Sequence, residues 1–142
     1  MYDLLLMGGR LLDPSRNLDV VAALAFKAGK IAAIGDDAVA TPAAQTEDVS
    51  GCIVTPGLID LHTHIYWGGT SLGVDPESYA HQAGATTLVD AGSAGPGNFH
   101  GFRRHVIEPA TPRIFAYLNI SFAGIFCFSD EVMVRECGDF RL

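Results

Sequence analysis

The chain has 142 residues, 49% of them hydrophobic and 18% charged, with a net charge of −7. That composition builds a core rather than a disordered chain, and the length allows one domain or two small ones. Basic residues do not cluster beyond the pair Arg103-Arg104, and no apolar run approaches the roughly 20 residues of a membrane span, so neither nucleic acid nor membrane is expected as a partner.

The start, "MYDLLLMGGR", has no basic leader and carries Asp3 inside its apolar run, so it does not read as a signal peptide. "YDLLLM" reads as a strand ended by Gly8-Gly9, and "RLLDPSRN" as a second strand running into a turn. "DVVAALAF" alternates with period two, with Val20, Leu24 and Phe26 on a bulkier face. "KAGK" is a hairpin turn, "IAAIG" its return strand, and "DDAVATPAAQ" a loop of small residues. Residues 1–52 are thus expected to form part of a small β-sandwich or half-barrel.

After Gly51 the pattern changes. "CIVTPGLIDLHTH" reads as one continuous apolar strand, the kind buried on both faces. "DPESYAHQAG" reads as a helix, with Asp75 at the N-cap, Pro76 at the first helical position and Gly84 at the stop. "ATTLVDAG" is a second buried strand. "FHGFRRHVIEP" gathers Phe99, Phe102, Val106 and Ile107 on one helical face before Pro109, and "RIFAYLNI" is a third strand. Strand, helix, strand, helix, strand is the order of a parallel α/β sheet, assigned to residues 53–142.

His62 and His64 stand two apart near the end of the first of these strands. Such residues point to one side, with Thr63 opposite. The carboxyl end of a parallel strand is where α/β folds place ligands and catalysis. Two neutral imidazoles converging there suit a divalent metal, although a catalytic centre needs at least one more protein ligand and an open position. The spacing alone is weak evidence; two histidines buried without bonding partners would be costly. By the same alternation Asp60 shares their face. Ser93 and Asn98 fall on the "SAGPGN" loop at the rim, and Asn119 and Ser121 end the third strand. These loop positions suit substrate contact, and loop amides there suit an oxyanion. Asn98 also suits a helix cap, and Asp90 the capping of its own loop. His81, His100 and His105 fall in helices and read as surface residues. Cys52, Cys127 and Cys137, an odd number without CxxC spacing, read as free thiols in a reducing cytoplasm. Asp130, Glu131, Glu136 and Asp139 read as solvated charges of the tail.

"VTPGLIDLHTH", preceded by a β-rich segment with "KAGKIAAIG", resembles the amidohydrolase superfamily of metal-dependent hydrolases. "TTLVDAGSAGPGNFHGFRRHVIEPATPRIFAYLNIS" is similar to its amidohydrolase/deacetylase branch, near dihydroorotases and D-aminoacylases. The resemblance runs to about Ile125. It implies the start of a (β/α)8 TIM barrel, about three strands of it, beside a small β-sandwich. It implies that His62 and His64 bind a divalent metal, usually zinc, in a centre of one or two ions, with Asp60 as a supporting neighbour. It also implies hydrolysis of C–N or ester bonds in acylated small molecules by a metal-activated water, with a homo-oligomer possible for the longer protein. Dihydroorotase-like hydrolysis of a cyclic amide, or a non-catalytic metal-binding remnant, are the alternatives.

Three departures from the family pattern stand out. Tyr66 occupies the place where many relatives hold a substrate-clamping arginine; Tyr66 and Trp67 offer an aromatic wall or simply pack under a loop. Lys27 and Lys30 are the only lysines, so the lysine that bridges two metals in relatives is missing. A (β/α)8 barrel takes about 250 residues, so the chain is expected to be an N-terminal fragment. The remaining ligands and the acid–base aspartate would lie beyond Leu142, leaving the isolated chain with little catalysis.

Overall fold

Gly8 and Gly9, expected to separate two strands, lie inside one. In this computed structural model, which describes residues 1–125, β1 spans Tyr2–Asp13. Gly8 takes a left-handed φ of 77°, and pairing with the next strand shifts between Leu6 and Gly9. A residue without Cβ absorbs that irregularity without ending the ladder. β2 (Leu18–Lys27) runs antiparallel to β1, and β3 (Lys30–Ile34) antiparallel to β2. Ala28 and Gly29 form the turn between them, both at positive φ, as a two-residue hairpin with a type I′ turn requires.

The stretch read as a loop holds a helical turn, α1 (Asp36–Val39), and β4 (Ala43–Asp48), parallel to β1. Five of the six β4 residues are exposed, so the strand lacks the apolar alternation that marks a half-buried one. β5 (Ile53–Val54) also pairs with β1, and the sheet order is β3-β2-β1-β4. Its core is Leu5, Ala23, Ala25 and Ala38. The small face of β2, not only the bulky one, is therefore buried, because alanine side chains let α1 approach the sheet closely. Val20 and Val21 stay exposed.

A second compact unit begins at Gly57. "CIVTPGLIDLHTH" is therefore not one strand. β5 belongs to the first sheet, and β6 (Leu58–Thr63) opens another. Pro56 between them has no N–H to give a ladder. At Gly57 an added Cβ would lie 1.9 Å from the Thr86 Oγ1, so the neighbouring strand requires glycine there. β6, β7 (Ala85–Asp90) and β8 (Arg113–Ala116) form a parallel sheet in that order. α2 (Pro76–Ala83) follows β6; α3 (Phe99–Phe102), continued by a π-helical turn over Arg103–Ile107, follows β7. This is the β/α alternation with which a barrel starts.

One face of this sheet carries the core. Ile65, Leu88, Ala94, Phe102 and Val106 are buried together with Ala80 and Ala85, and Phe99 and Ile107 pack on them. The opposite face is open among the described residues: Leu61 is 71% and Ile59 61% exposed. The expectation of burial on both faces therefore does not hold for β6. Among the described residues no helix is long and apolar enough to cross a membrane.

α2 follows the local code closely. Asp75 accepts from the Ser78 N–H at 3.0 Å and the Ser78 hydroxyl at 2.7 Å, Pro76 starts the helix, and Gly84 ends it at φ 64°. The Ser78 hydroxyl, then its N–H, hold the Asp75 carboxyl below the usual carboxylate range. A lowered folded pKa means the cap contributes fully above the unfolded value and is lost as pH falls through the folded one. Amide-exchange protection at Ser78 is accordingly expected to fall with acidification in that window. Asp75→Ala should abolish the pH dependence; protection that is flat with pH in the native chain would contradict the assignment.

Candidate metal centre

Near its carboxyl end β6 meets β7 with one residue too many, after a shift of the opposite sense between Leu58 and Ile59. Asp60 lies opposite Leu88 and Thr63 opposite Asp90, three steps on one strand against two on the other. Such an insertion is a β-bulge, and it breaks regular alternation. Leu88, Asp90 and Thr63 are all buried, so the helix-covered side takes Asp60 and Thr63, followed by Ile65 in the core. His62 and His64 flank Thr63 and point to the other, open side. Asp60 accordingly does not share their face, contrary to simple alternation. Its Oδ2 accepts from the Tyr79 hydroxyl of α2 at 2.5 Å, and its Oδ1 accepts from the His62 N–H at 3.0 Å. The Tyr79 hydroxyl, then the His62 N–H, hold the Asp60 carboxyl below its ordinary value. The same bond raises the Tyr79 phenol. Asp60 thus fixes the backbone of His62 from behind the strand.

The two imidazole rings have centroids 5.4 Å apart and planes at 80°. Two imidazoles bound tetrahedrally to one zinc, with nitrogens at about 2.0–2.1 Å, would place their ring centres roughly 5 Å apart. The pair therefore fits a shared ion in both donor chemistry and spacing. His64, half-buried, has its Nδ1 3.0 Å from the Ser93 Oγ, which leaves Nε2 as the nitrogen not engaged by serine. His62 is exposed. Among the described residues no group of three or more His, Cys, Asp or Glu comes together in a way that could hold a metal, so the pair offers two imidazoles with no third such group beside them.

Behind the histidines the strand-end loops are tied by side chains. Asp90, fully buried, accepts from the N–H groups of Ile65 at 3.0 Å, Gly92 at 3.0 Å and Ser93 at 2.6 Å. It joins the loop after β6 to the loop after β7. Asn98 accepts from the Gly95 N–H and donates to the Ala123 carbonyl, both at 2.9 Å. It makes no side-chain cap on α3. Asn119 donates to the Gly92 carbonyl and accepts from the Ser121 N–H, also at 2.9 Å.

Each residue expected to touch substrate has a partner within the chain. Ser93 is fully buried and reaches His64 rather than the rim. Asn98 and Asn119 direct their amides to backbone groups of neighbouring loops. The amides of Gly92, Ser93 and Gly95 are taken by Asp90 and Asn98, so they do not present an oxyanion site. Tyr66 stacks on Phe102 at 4.6 Å and donates to the Asn98 carbonyl at 3.3 Å. Packing under the loop is its observed role, because an aromatic ring with a reachable carbonyl satisfies both its apolar body and its polar tip. Trp67 remains exposed, as do His81, His100 and His105, and Cys52 is a free, exposed thiol. Cys127, Cys137, Asp130, Glu131, Glu136 and Asp139 lie outside the described residues. Two contacts went unread in the sequence: the Ser93–His64 bond and the Asp60–Tyr79 bond. Only the position of Asp90 three residues before Ser93 hinted at the first, as a turn-forming acid.

No known family profile matches the chain. Over 114 residues, 80% of this chain, it is 44% identical to a deacetylase of Agrobacterium fabrum, 28% of whose length it spans. A crystal structure of a dihydroorotase superposes with a TM-score of 0.75 and 36% identity, over 89% of this chain and 34% of that one. The N-acyl-D-glutamate deacylase of Bordetella bronchiseptica, crystallised with zinc and a phosphonate inhibitor that mimics the tetrahedral intermediate, matches with a TM-score of 0.51 and 33% identity. That match covers 66% of this chain and 19% of the deacylase. The chain thus spans about a third or less of the length of each.

Proposed function

We propose, for a chain that belongs to the amidohydrolase superfamily and matches the N-terminal portion of its relatives, that His62 and His64 are ligands of a divalent metal, zinc, in a hydrolase of acylated small molecules. The observation that carries this reading is the pair itself: two imidazoles on the open side at the carboxyl end of β6, with ring centroids 5.4 Å apart. The zinc and the tetrahedral mimic in the related deacylase support it. When bound, the ion supplies Lewis acidity, which acidifies a water and polarises a carbonyl.

The chain's own residues perform the holding and orienting. His62 and His64 offer neutral imidazole nitrogens. Asp60 pins the His62 backbone through its N–H, and Tyr79 pins Asp60. Asp90 fixes the two loops whose ends carry His64 and Ser93. This arrangement removes freedom from both ligands before an ion arrives, which is what supporting groups behind a metal site contribute.

Hydrolysis of a cyclic amide is the second reading, favoured by the similarity to the dihydroorotase structure. Against it stands Tyr66, whose ring lies on Phe102 and provides no cation for a substrate carboxylate. Exchanging the 114 matching residues of the Agrobacterium deacetylase for those of this chain tests the two together. The hybrid is expected to hydrolyse N-acetylated compounds in a chelator-sensitive way and to lose that activity with His64→Ala. Turnover of dihydroorotate alone would favour the second reading. A folded hybrid indifferent to chelator and to His64→Ala would overturn both.

A further inference from the structure

We propose that Ser93 is a positioning residue: its Oγ accepts the Nδ1–H of His64 and so presents the Nε2 lone pair of His64 on the open side of the sheet. A neutral imidazole carries one N–H and one lone pair, and a serine hydroxyl can meet either; a metal on Nε2 needs the lone pair there, which puts the N–H on Nδ1 and makes the Ser93 Oγ its acceptor. His64 Nδ1 lies 3.0 Å from the Ser93 Oγ across 29 residues of sequence, so the contact is tertiary and not an accident of local geometry. The contact stands on the geometry, and the place of the proton rests on the metal reading above.

Three features make Ser93 a fixed partner. Its N–H is held by Asp90 at 2.6 Å, and its carbonyl accepts from the Ile125 N–H at 2.9 Å. Gly124 packs on that carbonyl so closely that a Cβ there would lie 2.2 Å from the oxygen. The residue is fully buried, so water does not compete for the hydroxyl. On the other side, His64 is held by its own carbonyl, which accepts from the Val74 N–H at 3.0 Å. With both backbones fixed, the hydroxyl has little choice of partner.

The test is 15N-histidine NMR on the 142-residue chain at about pH 8, above the imidazole titration range, first without metal and then with zinc. Without metal, His64 is expected as the Nδ1–H tautomer, and zinc is expected to shift its Nε2. Ser93→Ala should redistribute the tautomer and weaken zinc binding about 10- to 100-fold, the usual loss when a ligand's orienting partner is removed. Ser93→Thr, which keeps the hydroxyl, should restore both; amide dispersion reports whether each variant is folded. A wild-type chain with His64 as Nε2–H overturns the proposal without any variant. So does a folded Ser93→Ala with unchanged tautomer and affinity. An Nδ1–H tautomer that depends on Ser93, in a chain whose histidines ignore zinc, upholds the orientation by Ser93 and overturns the metal reading instead.

Discussion

Asp90→Ala is expected to destabilise the second unit by about 3–5 kcal/mol. The carboxylate is fully buried and accepts three backbone N–H bonds, from Ile65, Gly92 and Ser93. Alanine leaves those donors without an acceptor, and each unsatisfied buried group costs about 1–3 kcal/mol. Water entering the space left by the side chain would recover part of that cost, which keeps the estimate below the full sum. Asp90→Asn should lose less. Its amide oxygen can still serve Gly92 and Ser93, while its NH2 then faces the Ile65 N–H, donor against donor. The chain has a single tryptophan, Trp67, and it lies in the second unit, so denaturant unfolding followed by its fluorescence reads that unit alone. A loss below about 1 kcal/mol for Asp90→Ala would show that the loops hold together by other means.

The second large effect is on metal affinity. His62→Ala and His64→Ala should each weaken zinc binding by more than the roughly 10- to 100-fold expected for an orienting partner, because each removes a ligand outright. The double variant should be little worse than either single one, since one remaining imidazole is a poor site by itself. Stability should change little for His62→Ala, as His62 is exposed on the open side of the sheet. Competition against a chromogenic chelator measures all three. Wild-type affinity in both single variants would remove the pair from the site.

The features legible in the sequence are those written locally. α2 is specified by Asp75, Pro76 and Gly84 within one stretch, and the structure uses all three in the expected way. The β/α order after Gly57 follows from the apolar runs and the punctuation between them. The histidine pair was visible because the side chains of residues flanking Thr63 must share a side. What escaped depends on distant partners. The bulge between Asp60 and Thr63 exists only relative to β7, so counting along β6 puts Asp60 on the wrong face. Ser93 and Asn98 lie on the loop after β7, as read, while Asn119 lies beyond β8, which ends at Ala116; the Ser93 hydroxyl meets the His64 ring, and the two asparagines meet backbone groups of the loops. Tyr66 stays open between an aromatic wall and packing under a loop in the sequence, because the ring of Phe102 on which it stacks lies 36 positions later in the chain. β4 was missed for a different reason: it is an exposed, polar strand that its parallel pairing with β1 recruits.

The central claim is that His62 and His64 hold one divalent ion between them. Zinc X-ray absorption on the 142-residue chain loaded with one equivalent tests it most directly. The predicted result is two imidazole nitrogens at about 2.0–2.1 Å, with the outer-shell imidazole scattering lost in the His62→Ala/His64→Ala double variant. Zinc without imidazole scattering in the wild-type chain, or a spectrum unchanged in the double variant, would contradict it.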